Sequence, residues 1–222
     1  MTLILVLLMF GTFILIDYVR TRRTVPVEAV EAVPALLRAT PSGEFVEGFH
    51  VPATVRYHAG HGWAQRERSR LMRVGVDEFG AALLGNVNHI ELPKPGRWVR
   101  QGQKVWGFAR NGEKTEMVSP VEGEIVEVNP EVQKDPSLLR KDPYGQGWLM
   151  TVHVPDEENV RRNFLPVHLV KEWVRDCAER LFAKQPQLAG PVMADGGRPI
   201  SDFAAGLPGA NWRELTQEFF LQ

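Results

Sequence analysis

Few side chains in this sequence have both the type and the spacing for chemistry. His58 and His61 lie three residues apart, close enough to share one metal ion, but the other histidines are scattered and Cys177 is the only cysteine. A paired-cysteine metal site is therefore excluded, and no metal site is expected. Gly107 and Gly112 have the glycine spacing of a phosphate loop, yet Glu113 follows where such a loop needs lysine and a hydroxyl residue. Cys177 is a nucleophile by type. It falls on the apolar face of its helix and reads as core, and no serine sits in a nucleophile motif. What remains is Lys114, an amine just past the tip of a turn.

That amine needs a turn and two strands to present it. Asn111-Gly112 is the strongest short turn signal in the chain, since both residues tolerate the positive φ of a type I′ turn. Residues 103–108 enter the turn as a strand-like run, and residues 115–118 leave it. The stretch 109–120 therefore reads as the end of a β-hairpin.

The 222 residues carry 26 Lys+Arg against 27 Asp+Glu. So balanced a charge gives no global basic surface for nucleic acid, and no nucleic-acid partner is expected. From Phe49 onward short strands alternate with glycine turns: residues 54–58, 61–65, 72–76, 88–93, 123–129 and 148–154. Asp77 caps a short helix over 78–84, and Gly85 ends it. Residues 135–140 read as a second short helix. Residues 164–182 read as a long one, with Leu165, Leu169, Trp173, Cys177 and Leu181 on its buried face. The fold class is mainly β with peripheral helices.

An ordered series of motifs makes this more specific. His61-Gly62-Trp63, Val74-Gly75-Val76-Asp77-Glu78-Phe79, Leu84-Gly85-Asn86-Val87 and Glu91-Leu92-Pro93 occur in turn. Gly96 and Gly102 follow, then Ser119-Pro120-Val121-Glu122-Gly123-Glu124-Ile125-Val126-Glu127-Val128-Asn129, then Asp142-Pro143-Tyr144-Gly145 and Gly147-Trp148-Leu149. The series resembles the H-protein of the glycine cleavage system, in the lipoyl/biotinyl-attachment superfamily, over about residues 54–183. The resemblance implies a barrel-sandwich hybrid of two antiparallel sheets, with a hairpin presenting one lysine that is amide-linked to lipoate. It also implies a carrier rather than an enzyme.

The tip departs from the family pattern. The family lysine stands seven residues before the Ser-Pro-Val segment, and seven before Ser119 is Gly112. Lys114 lies two positions later, and Arg110, Asn111 and Glu113 replace the acidic and small residues of the family, giving a more positive entry side. The expectation is therefore a subunit that carries no lipoate and acts as a scaffold through the carrier-type hairpin. The alternative is a lipoyl carrier with the cofactor on Lys114, which a two-residue shift keeps on the same strand face.

Both ends extend beyond the resemblance. Residues 3–16 are uncharged and almost wholly apolar, and Arg20, Arg22 and Arg23 follow. Residues 3–19 reach the short limit of a membrane span, about 17–25 residues. Basic residues after the span and none before it place the remainder on the cytoplasmic side. A single-pass membrane protein is expected: anchor and basic flank at 1–23, linker at 24–48, domain at 49–184, and a Gly/Pro-rich tail at 185–222. The tail ends in an amphipathic helix whose Trp212, Leu215 and Phe219 share one face. That face is expected either to pack on its own core or to dock a protein partner.

Overall fold

The computed structural model describes residues 43–184 and 212–220. Strand β1 (Gly43–Val46) and strand β2 (Phe49–Pro52) form a hairpin of their own, so residues 43–48, read as linker, already belong to regular structure. Expected residues 1–23 lie outside the described residues. Among the described residues no helix is long and apolar enough to cross a membrane.

The main sheet is antiparallel and six-stranded. It contains β3 (Arg56–Tyr57), β4 (Gly62–Arg68), β5 (Leu71–Val76), β7 (Trp98–Val99), β10 (Gly123–Val128) and β11 (Met150–His153), in the order β3-β4-β5-β11-β10-β7. A second antiparallel sheet runs β6 (His89–Glu91), β8 (Lys104–Arg110) and β9 (Glu113–Val118), in the order β6-β8-β9. Period-two alternation places Val74, Val76, Ile125, Met150 and Val152 inside from the first sheet, and Ile90, Trp106, Phe108 and Met117 inside from the second. The expectation of a mainly β fold with antiparallel sheets and few helices holds.

Trp63 sits at the centre of this core. It is fully buried, and its indole N–H donates to the carbonyls of Val76 and Pro143 at 3.0 and 3.2 Å. Gly75 pairs with it across β4 and β5. A Cβ at Gly75 would stand 2.7 Å from the indole ring, so the missing side chain is what lets the indole lie flat against the strand.

Helix α1 (Glu78–Leu84) has the predicted bounds. The Asp77 carboxylate accepts from the Gly80 N–H at 2.7 Å, and Gly85 ends the helix at φ 66°. Two short helices, α2 (Pro130–Lys134) and α3 (Leu138–Lys141), take the place of the single helix expected over 135–140. Asn129 caps α2 through the Glu131 N–H, and Pro130 sits in its first turn, where no N–H is needed. A further short helix, α4 (Glu157–Arg161), follows β11.

The long helix starts later than predicted. Pro166 opens a 3-10 turn over Val167–Leu169, and α5 runs Val170–Lys184. The shift turns Leu169 outward, and the buried face becomes Val170, Val174, Cys177, Ala178 and Leu181. The last described helix, α6 (Trp212–Phe219), packs on β9 and α1. Trp212, Leu215, Phe219 and Phe220 are all buried against the chain's own domain. Of the two expectations for this face, packing on the chain's own core is the one seen: its apolar stripe finds its burial in cis.

Candidate functional site

The turn between β8 and β9 is the one the sequence predicts. Asn111 has φ 48° and Gly112 φ 86°, both positive as a type I′ turn requires. The ladder closes with Arg110 opposite Glu113 and Ala109 opposite Lys114. Lys114 is thus one register step inside the tip, and its side chain is 67% exposed.

Its Nζ donates to Glu91 Oε1 at 2.7 Å. Glu91 belongs to β6, two strands away, and pairs with Gly107 of the intervening β8. This bond and the charge of Lys114 hold the Glu91 carboxyl below the usual carboxylate range, and Glu91 in turn raises the Lys114 amine above its ordinary value. Lys104 and Glu116 form a second ion pair on the same sheet at 3.5 Å. Sequence reasoning missed Glu91 as a site residue. The available signal was Gly107, a glycine inside a strand, which marks a close approach.

Arg110 does not make the entry side more positive. It is buried, and its Nη1 donates to the Leu84 carbonyl at the end of α1 at 3.4 Å. Nor is the turn loose: the Asn111 N–H donates to Asn88 Oδ1 at 3.0 Å, and the Asn88 N–H donates to the Ala109 carbonyl at 2.8 Å. Between the outer face of β8–β9 and α6 lies a groove of about 310 Å3, lined among others by Glu91, Lys104, Lys114, Glu116, Arg213 and Gln217.

The two histidines have separate environments. His58 is half-buried, and its Nδ1 accepts from the Gly60 N–H at 3.1 Å; burial lowers its pKa. His61 is fully buried, with Nδ1 2.9 Å from Asp77 Oδ2, and its ring stacks between Phe79 and Trp173 at 4.5 and 4.6 Å. Among the described residues no group of three His, Cys, Asp or Glu is placed to hold a metal.

A covalent acyl cofactor needs an accessible amine. Lys114 offers one, whereas Gly112, the position reached by counting back from Ser119, offers only open space: nothing lies within 4 Å of a Cβ built there.

Comparison with known proteins bears on what this arrangement serves. The family described as glycine cleavage H-protein matches residues 55–176, over half of the chain. The glycine cleavage system H protein of Mycobacterium leprae (strain TN) is 34% identical over 106 residues, 48% of this chain and 80% of that protein. Its counterpart from Alteromonas mediterranea is 33% identical over 111 residues, 50% of this chain and 86% of that protein. Among solved structures, a glycine cleavage system H protein from Mycobacterium marinum aligns at 29% identity and TM-score 0.44, over 47% of this chain and 87% of that one.

These matches correct two expectations. Glycine cleavage H-proteins carry lipoate covalently, which overturns the expectation of no cofactor; the scaffold role built on a handle-free tip loses its basis with it. The single-pass membrane placement with a cytoplasmic domain is also overturned, since the relatives are glycine cleavage system H proteins. With residues 55–176, more than half its length, matched in this way, the chain belongs to the glycine cleavage H-protein family, whose members are non-catalytic lipoyl carriers and not enzymes.

Proposed function

We propose that this protein is a lipoyl carrier of glycine cleavage or a closely related dithiol-linked pathway, with Lys114 as the attachment residue and the other glycine cleavage components as its partners. The observation that carries the reading is the exposed amine of Lys114, held at the outer end of a braced hairpin. When attached, the lipoyl group supplies a dithiol/disulfide that carries a one-carbon amine fragment between enzymes, so the protein contributes position and not bond-making. Lys114 provides the amide nitrogen. Glu91 holds its side chain against the sheet before attachment, and Arg110 and Asn111 fix the strand ends from behind.

Intact mass of the natively expressed protein tests the reading. A lipoyl mass that disappears in Lys114→Ala supports it. An unmodified native mass, or a lipoyl mass that survives Lys114→Ala, overturns it.

A further inference from the structure

A cleft of about 490 Å3 opens at the β3 end of the main sheet, and it shares no lining residue with the groove beside Lys114. Ala64 of β4, Met72 of β5 and Phe164 are its buried floor. Strand β3 covers only part of the β4 edge here. It pairs Arg56 with Ala64 and Tyr57 with Trp63, and the His58 N–H donates to the Gly62 carbonyl at 2.8 Å. Alternate residues of an antiparallel strand turn their main-chain groups to the same neighbour. Gly62, Ala64 and Arg66 therefore turn theirs toward the line of β3, but β3 begins at Arg56, and Ala53 and Thr54 form a turn. Among the described strands none continues that line opposite Arg66, so its amide and carbonyl face the cleft. A register shift between Arg66 and Arg68 ends the open edge there, which leaves room for a short extended segment and not for a further sheet.

The charge around this edge is one-sided. Arg66 pairs with Glu157 at 3.3 Å and Arg161 with Glu158 at 2.9 Å, which occupies both carboxylates that line the cleft. Arg56, on its rim, has no carboxylate partner among the described residues. Nor have Arg68 and Arg70 on the β4–β5 hairpin, or Arg162 at the end of α4. All four are exposed. A chain of net charge −1 thus gathers unpaired positive charge at one corner.

We propose that this cleft binds an extended acidic segment of a partner protein. The segment adds one ladder step to β4 at Arg66, sets an apolar side chain on Met72 and Phe164, and brings carboxylates to Arg56 and its neighbours. A small anion would use the guanidinium groups alone. The open main chain of Arg66 and the apolar floor are used together only by a peptide.

The test uses the full chain, isotope-labelled for NMR, at low salt. It is titrated with acetyl-Glu-Glu-Leu-Glu-Glu-amide, with the matching lysine peptide, and with glutarate as a small anion. The acidic peptide should shift the Arg66 amide and slow its hydrogen exchange by about tenfold at saturation. Arg56→Ala should weaken binding roughly fivefold, and added salt should weaken it in both chains. An Arg66 amide that stays in place at about a hundredfold excess of acidic peptide overturns the proposal. So does a lysine peptide or glutarate that binds as tightly, or an Arg56→Ala chain that binds unchanged. None of these readouts involves Lys114, so a negative result leaves the carrier reading standing.

Discussion

Glu91 reaches Lys114 by lying across Gly107. The two charged residues stand on β6 and β9, and β8 runs between them. A Cβ at Gly107 would come within 3.1 Å of Glu91 Oε2 and 3.2 Å of Glu91 Cβ. The missing side chain is the gap through which the carboxylate passes, and Gly107→Ala should push Glu91 aside and lengthen the 2.7 Å contact.

The charge states of this pair follow from that contact. Glu91 sits below its ordinary value of 4.5 and Lys114 above its ordinary value of 10.5. The Glu91 contribution is present above 4.5 and is lost as pH falls through its lowered folded value; the Lys114 contribution is present below 10.5 and is lost as pH rises through its raised folded value. Both groups are solvent-exposed, so these contributions to overall stability are small and the clearer readout is protonation itself. Glu91→Gln should bring the Lys114 amine back toward its ordinary value in an NMR titration. Acylation of Lys114 should do the same to Glu91, because an amide carries no charge. A Glu91 titration that is identical before and after acylation contradicts this account.

Gly112→Lys places an amine at the position where family spacing expects one. The substitution has room, since nothing lies within 4 Å of a Cβ at this site. Its cost is conformational, because φ is 86° and a side chain there loses on the order of 1 kcal/mol relative to glycine. The variant should fold with a melting temperature a few degrees lower. Co-expressed with a lipoate ligase, it should show a second lipoyl mass. A single lipoyl mass that vanishes on Lys114→Ala in the same background points to recognition of Lys114 alone.

Gly75→Ala tests the Trp63 packing. The added methyl would sit 2.7–2.9 Å from the indole, which is fixed by two hydrogen bonds and cannot turn aside. Overpacking of this kind costs roughly 1–3 kcal/mol. Calorimetry should show the melting temperature falling by several degrees, and an unchanged value contradicts the packing described.

Cys177 should be inert in the native state. It is buried, and burial pushes its thiol up to about 12 from an ordinary value of 9.0. Thiol reagents at pH 8 should react only after denaturant is added. A thiol that binds its proton more tightly when folded contributes stability that is whole below 9.0 and fades as pH climbs toward 12, so the denaturation midpoint of the wild type should fall across that window more steeply than that of Cys177→Ala. Rapid labelling of the native protein contradicts this placement.

Local signals were read well where one residue decides the geometry. Asp77 and Gly85 bound α1, and Asn111-Gly112 makes the tip, because capping and positive φ are settled by the residue itself. The register of the long helix was missed by the weight given to a four-residue apolar spacing. Pro166 delays the start, and Leu169 ends up exposed. The amphipathy of α6 was legible, but where it would bury its face was not, since a pattern states that a partner is needed and not which one. At the site, Lys114 was visible by type and position. The inward turn of Arg110 and the reach of Glu91 were not, because both depend on which strands become neighbours.

The bracing behind the hairpin has a mechanical meaning. Arg110 is fastened to the end of α1, and Asn111 and Ala109 are fastened to Asn88, so the strand ends cannot sway as a free ribbon does. Under the attachment proposed at Lys114, the tether would swing from a braced pivot. Its reach is a sphere of constant centre, and the local concentration of its far end at a neighbouring enzyme depends on tether length and docking pose, with no contribution from motion of the post that holds it.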